Sequence, residues 1–88
     1  MKMQNNPVLV EWIDAIDQEN GWIPQELAKK ANVMTVISVG FVINENEDMI
    51  TIIADKDKNP NEDSEVSRVT TIPKACIKKT SALCVESL

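Results

Sequence analysis

Residues 33–55 read VMTVISVGFVINENEDMITIIAD, and the way these side chains alternate decides the fold. Successive side chains of a strand point to opposite faces, so Val33, Thr35, Ile37, Val39, Phe41 and Ile43 share one face. Ile50, Ile52 and Ala54 share a face at the same period of two. Between the two runs stands Asn44-Glu45-Asn46-Glu47-Asp48, a polar, acidic tip. The pattern predicts a long β-hairpin. Gly40 interrupts its first strand, and a glycine within a strand marks a bulge or a sharp bend. A small barrel needs such a corner to curl.

Upstream, Val8, Val10 and Trp12 alternate with Leu9, Glu11 and Ile13, which predicts a first strand ending near Asp14-Ala15. A helix competes here, because Val8, Leu9, Trp12, Ile13 and Ile16 also fit helical spacing. Pro7 before the run and its β-branched content favour the strand. Gln18-Glu19-Asn20-Gly21 is turn chemistry. Pro24 suits the first turn of a short helix that Gln25 to Ala31 continue, with the acid first and the lysines last, as the helix dipole prefers. Ile23, Leu27 and Ala31 form an apolar stripe expected to lie on the barrel.

Downstream, residues 55–65 form a charged loop that is expected to be mobile. Val66 to Ile72 is a fourth strand, Pro73-Lys74-Ala75 a single tight turn, and Cys76 to about Leu83 a fifth strand. On that last strand Ile77, Leu83 and Val85 share parity with Lys79 and Ser81. The expectation is one domain over residues 1–88, mostly β (α+β): a flexible arm (1–7) and a small, partly open five-stranded barrel with one short helix between strands 1 and 2.

Eighty-eight residues hold a single core, and a core of this size is marginal alone, so a homo-oligomer is expected. The only aromatic residues are Trp12, Trp22 and Phe41. Trp12 reads as core. Trp22 reads as a hydrophobic anchor closing the barrel, with an exposed stacking platform as the alternative. The formal net charge is −5, which argues against a nucleic-acid partner, since phosphate binding needs a dense Lys/Arg surface. Residues 1–65 carry 13 acids and 5 bases, whereas residues 66–88 carry 4 bases and one acid. One end could therefore present a modest basic patch. Cys76 and Cys84 on one strand would stand about 26 Å apart, beyond disulfide reach. No run is long enough to span a bilayer, the start shows no signal-peptide pattern, and a cytoplasmic setting without membrane contact is expected.

Histidine is absent, which removes the usual base near neutral pH and the commonest zinc ligand. Asp55-Lys-Asp57-Lys-Asn59 superficially matches the start of a calcium loop. Such a loop requires glycine at its sixth position and glutamate at its twelfth, and these hold Pro60 and Val66. Cys76 flanked by Lys74 and Lys78 reads as a small core residue rather than a nucleophile. No glycine-rich phosphate loop exists. The chain reads as a binding protein, not an enzyme, with no cofactor. Arg68, Lys74 and Lys78 are the candidate anion ligands, Arg for its planar fork, with Trp22 as a stacking surface.

Gly40-Phe41-Val42-Ile43, the acidic turn and Met49-Ile50-Thr51-Ile52 resemble the bent-strand hairpin of Sm-like barrels. Ile72-Pro73-Lys74-Ala75-Cys76-Ile77 resembles their short turn into the last strand. The resemblance implies an Sm-like or Src-homology-3-like barrel, but that family's Arg-Gly or Lys-Gly pair is missing before the last strand. Val10-Glu11-Trp12-Ile13-Asp14-Ala15, Gly21-Trp22, Ser38-Val39-Gly40-Phe41 and Ile72-Pro73 with Cys76-Ile77 resemble small phage and prophage proteins. That resemblance implies an accessory protein of the host cytoplasm. Its expected role is counter-defence, by sequestering a small anionic, nucleotide-like ligand or a host defence protein. The alternatives are an Sm-like RNA-binding module and a structural protein–protein adaptor using the acidic loop.

Overall fold

The computed structural model describes residues 6–15 and 21–84. Five strands follow one another: β1 (Val8–Asp14), β2 (Met34–Glu45), β3 (Met49–Ile53), β4 (Thr70–Pro73) and β5 (Ile77–Ala82). A four-residue helix, α1 (Gln25–Ala28), stands between β1 and β2, and a single 3-10 turn (Lys74–Cys76) joins β4 to β5. All pairings are antiparallel, in the spatial order β4-β3-β2-β1-β5. The sheet is open, with β4 and β5 at its edges.

The strand reading of residues 8–14 holds, and the predicted hairpin pairs Phe41 with Ile53 and Val42 with Ile52. Its tip is closed by Asn46, whose side-chain oxygen accepts hydrogen bonds from the backbone N–H groups of Asp48 (2.8 Å) and Met49 (3.0 Å). An asparagine doing this imitates a backbone turn.

β2 changes partner at Gly40. Residues 34–40 pair with β1 and residues 41–45 with β3. A Cβ added at Gly40 would stand 2.7 Å from the Ile53 carbonyl oxygen and 3.1 Å from Ile52 Cβ. The missing side chain thus lets β3 close in on the corner. Laid flat, five strands would hold their edges about 19 Å apart. The 3-10 turn between Pro73 and Ile77 spans only about 8 Å, so the sheet must curl. Its concave side holds one cluster built from every strand. Val10, Ile50, Ile52 and Ile72 are buried there, with Val8, Trp12, Val42 and Ile77 packed against them. Trp12 donates its ring N–H to Ser38 Oγ at 3.0 Å, and Thr51 and Thr71, directly opposite on β3 and β4, share a 2.9 Å hydroxyl contact.

The side of β2 that carries more apolar residues is the outer one: Thr35, Ile37, Val39 and Ile43, with Val33 just before the strand, are exposed, while Gly40 and Val42 turn toward β3 and the core. Three expectations need correction. The helix ends at Ala28, so Ile23 and Ala31 fall outside it and the expected stripe does not form, and Ile23, Leu27 and Ala31 are not buried. The fourth strand starts at Thr70 rather than Val66, because Arg68 turns the chain aside with φ 55°. Cys76 belongs to the 3-10 turn, not the last strand; it is half-buried, Cys84 is exposed, and both thiols are free. Val85 and most of the arm fall outside the described residues. Pro7 is within them, and its carbonyl accepts the Leu83 N–H at 2.9 Å.

Candidate functional site

The four residues singled out by sequence stand in four places. Lys74 opens the 3-10 turn. Its ammonium lies 2.7 Å from Glu45 Oε2, and its backbone N–H donates to the Asp48 carbonyl. Lys78, on β5, lies 3.9 Å from Glu11 Oε2. Arg68 Nε lies 3.9 Å from Asp55 Oδ2. Lys74 and Arg68 flank opposite ends of β3, beside Asp48 and Asp55 respectively, about 23 Å apart along an extended chain. Trp22 is wholly exposed, with a relative accessibility of 104%, which corrects its reading as a barrel anchor. Each of the three cations already faces a carboxylate. Solvent-exposed pairs of this kind contribute only about 0–1 kcal/mol each.

A cleft of about 560 Å³ opens where β3 runs out, lined by Phe41, Ala54, Asp55, Lys56 and Lys58. A hollow of about 380 Å³ shares Asp55 and Lys56 with it and continues along Glu65, Val66 and Ser67. Backbone bonds frame the site: Ala54 N–H donates to the Ser67 carbonyl and Ser67 N–H to the Asp55 carbonyl, each at 3.1 Å. The Ser67 hydroxyl donates to Asp55 Oδ2 at 2.6 Å. Asp55 is therefore turned toward its own chain, between Ser67 and Arg68. The Lys56 ammonium stands 4.5 Å over the centre of the Phe41 ring, an attraction worth about 0.5–1 kcal/mol at exposed sites. Among the described residues neither Lys56 nor Lys58 makes an ion pair.

The loop beyond is held in local turns. The Asp57 carboxylate accepts the Asn59 N–H, the Asn61 side chain accepts the Asp63 N–H, and Ser64 Oγ accepts the Asn61 N–H. Arg68 is the one residue other than glycine with positive φ among those described. A non-glycine residue held there costs about 1–3 kcal/mol, and such outliers gather at binding sites. Of the predicted residues, only Arg68 belongs to this region. Phe41, Lys56 and Lys58 escape the sequence reading because Phe41 sits in an apolar run and the lysines in a charged loop. The available signal is the Lys-Asp-Lys alternation immediately after a strand end.

A second surface is apolar. On the outer side of the β1–β2 ladder, Leu9 stands opposite Val39, Glu11 opposite Ile37 and Ile13 opposite Thr35. Ile13, Ile37 and Val39 are 36%, 62% and 52% accessible. Among the described residues five apolar side chains are buried, whereas eleven large ones are exposed to at least about a third.

No protein-family model, no curated protein and no solved structure matches the chain. Among the described residues no three His, Cys, Asp or Glu side chains gather as a metal site would require, and no helix is long and apolar enough to cross a membrane.

Proposed function

We propose that this chain is a non-enzymatic binding protein that captures a small anionic, nucleotide-like ligand in the cleft at the end of β3. The observation that carries the reading is the pair of lysines without carboxylate partners among the described residues, Lys56 and Lys58, lining one cleft with Phe41. Phosphate oxygens find two ammonium groups and, across Asp55, the Arg68 guanidinium, whose planar fork suits two oxygens at once. The Phe41 face and Ala54 supply the apolar wall that a base or ribose needs. The site shifts the candidate set from Arg68, Lys74, Lys78 and Trp22 to Arg68 with Lys56, Lys58 and Phe41. The setting, a phage-type accessory protein of the host cytoplasm that sequesters a defence signal, rests on the phage-protein resemblance.

Calorimetry with cyclic nucleotides and ADP-ribose tests the reading. The expected result is saturable heat, weakened about tenfold or more by Lys56→Ala, as loss of a charge-assisted hydrogen bond implies. Absence of heat with every nucleotide would overturn it.

A second reading, the Sm-like RNA-binding module, is favoured by the bend at Gly40 and the single 3-10 turn into the last strand. The charge of −5 weighs against it. It predicts binding to single-stranded RNA that falls steeply as salt rises.

A further inference from the structure

We infer that the ligand is a nucleoside diphosphate carrying a second sugar, whose hydroxyls enter the hollow beside Glu65, Val66 and Ser67; this rests on the nucleotide reading of the cleft above. Two hollows meet where β3 runs out, and they share Asp55 and Lys56. Their volumes, about 560 and 380 Å³, each fall within the range of small-molecule sites. Their chemistry differs. The first adds Phe41, Ala54 and Lys58 to the shared pair, an apolar wall with a second cation. The second adds Glu65, Val66 and Ser67, a second carboxylate and a hydroxyl beside one apolar side chain.

The polar side chains that the second hollow adds offer acceptors only. Ionised carboxylates accept hydrogen bonds and donate none. The Ser67 hydroxyl already donates to Asp55 Oδ2 at 2.6 Å, so its oxygen can only accept from a ligand. Asp55 Oδ2 also faces Arg68 Nε at 3.9 Å, which leaves the other carboxylate oxygen for a ligand. Among the described residues Glu65 pairs with no cation. These groups repel a phosphate and call for donors. An ammonium group donates too, but Lys56 lines this hollow as well and opposes a second cation. A neutral group with several hydroxyls meets both demands. Ribose hydroxyls donate to a carboxylate in the same way in dinucleotide sites, and Val66 offers contact to the sugar's C–H side.

The order along the ligand follows from the residues that the hollows share. Lys56 belongs to both, so the phosphates lie at the junction, with Lys58 on the first side. The base and first ribose then lie toward Phe41 and Ala54, and the second sugar toward Glu65. The junction is pre-formed. Asp55 and Ser67 face each other as an antiparallel bridge, closed by Ala54 N–H to the Ser67 carbonyl and Ser67 N–H to the Asp55 carbonyl. Groups fixed before the ligand arrives lose less freedom on binding it.

Calorimetry on the full chain with ADP and with ADP-ribose tests the inference. ADP-ribose adds one ribose to ADP and carries less negative charge, so charge alone would favour ADP. The expected result is tighter binding of ADP-ribose by about tenfold, what one hydrogen bond to a charged acceptor supplies. Glu65→Ala, at an exposed loop position, should bring the two affinities within about twofold of each other. Equal affinities in the wild type would overturn the second sugar and leave nucleotide capture standing. A preference for ADP-ribose that survives Glu65→Ala would overturn the placement in this hollow. No heat with either ligand would overturn both readings.

Discussion

β3 and the outer face of β2 are equally apolar in sequence and opposite in fate. Residues 50–53 of β3 are buried on both sides, with Ile50, Ile52 and Ile53 at 2–3% accessibility. Ile37, Val39 and Ile43 of β2 are more than half exposed. β3 lies between β2 and β4 in the curled sheet and faces the shared cluster, whereas the outer side of β2 looks away from it. Hydrophobicity alone therefore does not say which surface packs into the core and which stays exposed.

Substitutions can break this contrast, and they rank by burial. Ile72→Ala, at a fully buried position within the cluster, should lose about 3–5 kcal/mol in urea unfolding. A loss below about 1 kcal/mol would mean the cluster is not the core. Gly40→Ala comes next. Its new methyl meets the Ile53 carbonyl at 2.7 Å, and backbone must move, so about 2–3 kcal/mol should be lost. Unchanged stability would deny the close approach of β3 to the corner.

Arg68→Gly works in the other direction. Glycine accepts positive φ without the side-chain penalty, so thermal stability should rise by roughly 0.5–1 kcal/mol, with nucleotide binding weakened. A fall in stability would count against strain at this position. Smallest is Ile37→Ala. On the isolated monomer it should change stability by no more than about 0.5 kcal/mol, and a change near that of Ile72→Ala would place the residue in the core after all.

The strands were legible because alternation is a local property. Val8–Asp14 and Met49–Ile53 appear nearly where the pattern puts them, and the polar tip at Asn46 announces its own turn. The fourth strand was overextended because Val66 to Val69 carry strand-favouring residues, while the register of Asp55 with Ser67 and the left-handed Arg68 arise from contacts across the loop. The helix shortens because none of its residues is buried, and helices this short draw most of their stability from packing. Of the candidate site, Arg68 was legible as a cation after an acidic loop. Its neighbours Lys56 and Lys58 join Phe41 only because β2 and β3 pair there.

By itself the sequence determined that this chain forms antiparallel strands, a hairpin with a bend at Gly40, and one tight turn before the last strand. Each depends on neighbours in the chain: alternation, turn residues, a missing Cβ. The tertiary structure decided which side of β2 is the inside. Both sides carry apolar residues, and the odd-numbered one carries more. Gly40 lies on the other side, where β3 must approach to within contact, and that single steric demand sends Val33, Ile37 and Val39 to the surface.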